Sequence, residues 1–160
     1  MKNIFATCVA AALLAVPAFA DTITYDAAGV QIDAPAGWTV TKSADGISLD
    51  APGKDVSIVF MHIPGKTPEK AIAAVEAELD KAVGKVAWGE KPTKEKLNGM
   101  DAEIWAGTAK DGKLQVEAAY LDTPNDQVLG VYWFDTPESE TKYKKDTDQI
   151  IQGIKPIEKK

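Results

Sequence analysis

The sequence predicts an α+β fold: an antiparallel sheet with helices on both faces, a three-layer α/β/α sandwich. Three observations carry that expectation. Strand-like runs are segregated, several before one helix and four more before another, instead of alternating singly with helices. Two runs, in "DVSIVFMHIP" and "QVLGVYWF", are apolar on both faces and need cover on both sides. Two amphipathic stretches are available to supply that cover.

In chain order, Ile23 to Tyr25 and Val30 to Ile32 read as short strands around an Ala-Ala-Gly turn. "DAPAGWTV" then punctuates the chain: Pro35 stops a strand, Gly37 releases a turn, and Trp38 enters the next strand beside Val40 as a core plug. Asp45-Gly46 is a tight-turn signal leading into "ISLDAP". After "DVSIVFMHIP" the period lengthens. Thr67 is placed to cap a helix, Pro68 to open it, and Ile72, Val75, Leu79, Ala82 and Val83 form its apolar stripe. Gly84 ends it. Asn98-Gly99 and Asp111-Gly112 suit type I′ turns and divide "TKEKL", "MDAEIWAGTA" and "KLQVEAAYL" into hairpins. "DTPND" is a longer turn before "QVLGVYWF", and a second helix is expected from Pro137 to Ile154.

The ends and the charge narrow the function classes. Residues 1–20, "MKNIFATCVAAALLAVPAFA", have a basic start, an apolar stretch too short to span a bilayer and an A-x-A close. A signal peptide cleaved after Ala20 is expected, leaving residues 21–160 as one domain in a periplasmic or secreted location. Cys8 is the sole cysteine and lies in the leader, so the mature chain has no disulfide, thiolate site or cysteine nucleophile. Net charge is −6 in the full chain, and cleavage removes Lys2. Every basic residue is lysine, and the missing arginine fork with the acidic balance argues against nucleic-acid binding. No later apolar run reaches membrane-spanning length, so a soluble monomer is expected.

The succession of a short hairpin, "IDAPAGWTV", "DGISLDAP", "DVSIVFMHIP" and a "TPEKAIAAVEAEL" helix resembles the PsbP-like superfamily. A turn like Leu97-Asn98-Gly99 and the closing "QIIQGIK" extend the resemblance over nearly all of the mature chain. That group includes an extrinsic photosystem II subunit, a Ran-binding nuclear import factor and bacterial envelope proteins such as DcrB. What it implies is a fold, an antiparallel sheet between helical layers; members bind different partners, so function does not transfer.

Few residues look like chemistry. His62, the sole histidine, shares parity with Val56, Ile58 and Phe60, and Ser57 points to the opposite face. One histidine without cysteine does not make a zinc site, and no Gly-rich phosphate loop is present, so no cofactor or metal is expected. Lys94 and Lys96, with Lys91, form a basic strip interrupted by glutamates, which also suits a charged edge strand. Alternation places Trp105 with Asp101 and Glu103, away from Met100 and Ala102, either as a platform or beneath a helix. Trp88 follows no clear period. The candidate partner or ligand contacts are therefore Trp105, Trp88, Lys94, Lys96 and His62. The export signal, the PsbP-like pattern and the lack of a catalytic set lead to the expectation of a non-catalytic binding or assembly protein with an envelope protein or small molecule as partner. A hydrolase using His62 and a carrier with a pocket between sheet and helix are the alternatives.

Overall fold

A computed structural model describes residues 19–44, 46–63 and 68–157. The expected leader, apart from Phe19 and Ala20, lies outside them, as do Asp45 of the tight turn and the expected cap Thr67. The elements are β1 (Phe19–Tyr25), β2 (Val30–Pro35), β3 (Thr39–Lys42), β4 (Gly46–Asp50), β5 (Ser57–Ile63) and α1 (Pro68–Ala82). They continue with β6 (Ala87–Trp88), β7 (Thr93–Leu97), β8 (Met100–Ala109), β9 (Leu114–Asp122), β10 (Val128–Asp135), α2 (Pro137–Gln152) and β11 (Lys155–Pro156). The fold class is α+β, and the strand ladders of the described residues are antiparallel.

The main sheet has eight strands in the order β3-β4-β5-β10-β9-β8-β6, with β7 sharing the outer edge of β8. Strands β7 to β10 form the expected meander. Its first turn has Asn98 and Gly99 at φ 49 and 88°, and its second has Asp111 and Gly112 at 56 and 80°. Type I′ turns require those left-handed backbones, which Asn, Asp and Gly adopt most readily. On β10, the two-sided apolar pattern separates into two cores. Leu129, Val131 and Trp133 face one way and pack with Tyr143, Ile150 and Ile151 of α2. Val128 and Tyr132 face the other and pack with Ala71, Val75 and Leu79 of α1 and with Val83 just after it. The helix α1 opens at Pro68 as expected, and Gly84 at φ 82° closes it by donating to the Asp80 carbonyl at 3.2 Å.

The N-terminal hairpin stays out of the main sheet. Strands β1, β2 and β11 form a three-stranded sheet of their own, and its Ile23, Val30, Ile32 and Ala34 join the α2-side core. That face is therefore covered by α2 and a small sheet together. The second helix stops at Gln152, short of Ile154, because the chain turns at Gly153 to pair Lys155 with Gln31. The capping box of Thr136 and Ser139, each side chain bonding the other's backbone N–H, fixes the start of α2. Trp38 is a core residue, 7% exposed. It stands edge-on to Tyr143, with ring centroids 5.9 Å apart, and its Nε1 donates to Asp146 at 3.2 Å. The plug thus seats α2 on the strands.

Candidate functional site

Beyond the seat made by Trp38, the face of β7–β10 under α2 is floored by small residues. Across β10, β9 and β8, Trp133 pairs with Glu117, which pairs with Ala106. Ala106, whose side chain is small, leaves the floor low there. The result is a cleft of about 560 Å³ between α2 and the sheet. Its apolar walls include Leu97, Ile104, Trp133 and Ile151. Cavities of about 300–1,000 Å³ are the usual size for small-molecule sites.

The charge lining this cleft is unbalanced. Five carboxylates, those of Glu95, Glu117, Asp135, Glu140 and Asp148, face two lysines, Lys96 and Lys144. Both lysines are already paired, Lys96 with Asp101 at 2.6 Å and Lys144 with Asp148 at 3.2 Å. Asp135 is only 6% exposed. Among the described residues its carboxylate has no hydrogen bond or ion pair. Burial first, then the neighbouring Glu140 and Glu117 carboxylates, push its pKa up to about 6. Glu117 is raised chiefly by burial and then by Glu140, while Lys144 and a hydrogen bond from Trp133 pull it back. Asn98 closes one end, its Nδ2 donating to the carbonyls of Gln152 and Ile154 at 2.7 and 2.8 Å.

The sequence candidates fall in several places. Lys96 lines the cleft. Lys94, directly across the ladder from Glu103, pairs with it at 2.5 Å, outside that cleft. Trp88 and Trp105 come together on the α1 side, lining a cavity of about 60 Å³ with Ile72, Glu76 and Tyr120. Trp105 is partly covered by the α1 core, and its Nε1 is buried without a partner among the described residues. His62 lies near the end of β5, where its Nε2 meets the Gln127 amide oxygen at 3.3 Å. Its backbone N–H donates to the Tyr25 hydroxyl at 3.1 Å. The hydroxyls of Ser43 and Ser139 donate to the carbonyls of Gly46 and Thr136.

Sequence reasoning missed Asp135 and Glu117. A signal existed: Glu117 has the parity of the core residues Ala119 and Leu121, and Asp135 that of Val131 and Trp133. A carboxylate at the end of, or within, a core-facing row marks a place where the core gives way.

No protein-family model matches the sequence, and no curated protein matches it either. Solved structures do. LpqN, involved in cell envelope biogenesis of Mycobacterium tuberculosis, superposes with a TM-score of 0.57 at 15% identity, covering 79% of this chain and 82% of LpqN. The cyanobacterial PsbP (CyanoP) of Synechocystis gives a TM-score of 0.57 at 11% identity, covering 84% of this chain and 90% of that protein. The fold is PsbP-like. At these identities the PsbP-like likeness is one of fold, and the cleft has to be read from its own residues.

Proposed function

We propose that the protein is a non-catalytic binding protein of the cell envelope, a single three-layered PsbP-like domain from Asp21 onward that holds a small molecule between α2 and the sheet. The observation that carries this reading is the cleft of about 560 Å³ with Asp135 in its lining, mostly buried and unpaired among the described residues. A leader-like residues 1–20 and a fold shared with a protein of envelope biogenesis support the location. Among the described residues no helix is long and apolar enough to cross a membrane. The pairing of His62 with a neutral amide supports a binding role over hydrolysis, since among the described residues no carboxylate is bonded to the ring to orient it as a base. Cleavage after Ala20 would leave the β1 ladder from Asp21 to Tyr25 in place.

The test exploits Ala106, an exposed residue on the cleft floor. The purified protein and its Ala106→Trp variant are each incubated with a small-molecule extract of cell envelopes, desalted and analysed for retained compounds by mass spectrometry. The wild type is expected to retain a compound that the filled cleft does not. Equal retention by the two proteins, or none by either, overturns the reading.

A further inference from the structure

The cleft under α2 presents a negative charge that the chain leaves uncompensated. A mostly buried residue whose carboxylate oxygens open to a cleft and have no partner of their own carries a charge at a cost that a counter-charge from outside would offset. Asp135 is in that position: 6% exposed, lining the cleft, and without a hydrogen bond or ion pair among the described residues. It precedes the α2 N-cap, yet the capping bonds there run between Thr136 and Ser139 and do not involve it. The lysines in the lining do not relieve it. Lys144 runs along α2 to Asp148, and Lys96 crosses its hairpin to Asp101.

We propose that this cleft binds an organic ammonium ion carried on an aliphatic stem, with Asp135 as its counter-ion. The assignment rests on the cleft reading above and names the ligand class. Glu117 and Glu140 add to the field around Asp135, while Trp133, Ile104 and Ile151 offer apolar surface to the stem. A bare metal ion fits less well. Among the described residues no three Asp, Glu, His or Cys side chains converge closely enough to hold one, and the volume of about 560 Å³ far exceeds an ion's. A neutral ligand would leave five lining carboxylates against two committed lysines.

Protonation follows from the same geometry. The empty site favours the neutral acid below about 6, and a bound ammonium ion favours the carboxylate, so acid competes with the ligand. The other charged residues lining the cleft are Glu117 on β9, Glu140, Lys144 and Asp148 on α2, and Glu95 and Lys96 on β7, and Glu140 and Glu117 are the charges that act on Asp135. The carboxylates among them strengthen the preference for a cation.

Calorimetric and NMR titrations of the purified protein with pentylamine, spermidine, pentanol and magnesium chloride test the assignment. Both amines are expected to bind and shift the Trp133 indole resonance, with pentanol and magnesium silent. Asp135→Asn is expected to weaken amine binding about tenfold or more. Glu117→Gln and Glu140→Gln are expected to weaken it about threefold each, which keeps the proposal testable should the first variant not fold. Amine affinity is expected to fall as pH drops through about 6 and as salt rises. Amines binding no better than pentanol, or unchanged affinity in the variants, overturns the proposal, as does magnesium binding with the same dependence on Asp135. If the amines fail while Ala106→Trp still abolishes retention of another compound, the ammonium assignment falls and the cleft reading stands. A lysine-containing peptide that displaces pentylamine identifies the source as a protein side chain. A peptide that does not displace it identifies a free amine.

Discussion

Asp135 ends the row Leu129, Val131, Trp133 on β10, and Glu117 interrupts the neighbouring row on β9. Both residues give up stability for charge. The folded pKa of Asp135, about 6, lies above its ordinary 3.8, so between those values the folded state holds more proton than the unfolded chain. Its contribution is therefore most favourable below about 4 and is lost as pH rises through about 6. Asp135→Asn is expected to remove this dependence. At neutral pH it should raise stability by about 1 kcal/mol, discounted for water at the cleft mouth, or about 3 °C in Tm. Thermal unfolding across that pH window measures it, and a lower Tm at neutral pH would contradict it. A variant that gains stability while losing amine affinity separates a binding role from a packing role.

Helix α1 lies so close to β10 that Gly130 has no room for a side chain. An added Cβ would stand 2.8 Å from Val75 Cγ2 and 3.1 Å from Ile63 Cδ1. Gly130→Ala is expected to cost about 1–2 kcal/mol in urea unfolding. Combined with Val75→Ala, its cost should shrink, because the truncated valine frees the space; strict additivity would refute the contact. At this scale much was legible in advance. Pro68, Pro137 and the Asn98-Gly99 and Asp111-Gly112 pairs mark where elements begin and turn, through preferences local to those residues. The two-residue strands β6 and β11 were not, since two residues carry no period to read.

The small sheet ties the ends of the described chain together. Ile154 is fully buried between α2 and β11, in the same core as Ile23 and Ile32. Nearby, Lys155 pairs with Asp33 at 3.0 Å, and the Ile157 N–H donates to the Gly29 carbonyl at 2.9 Å. Ile154→Ala is expected to cost about 3 kcal/mol. Because both ends share that core, hydrogen exchange should quicken in β1 and β2 as well as at the end of α2. Exchange confined to α2 would show that the hairpin holds independently.

The sequence by itself determined the α+β class, the two helices, the meander and its turns, and the burial of Trp38. Each of these depends on periodicity or on backbone preferences within a few residues. Only the tertiary structure decided that the first hairpin pairs with β11, that Trp88 and Trp105 share a cavity, and that Glu117 and Asp135 line a cleft with Glu140. Alternation along a strand tells which residues share a face. It does not tell what lies across that face, because the space under α2 is set by residues distant in sequence.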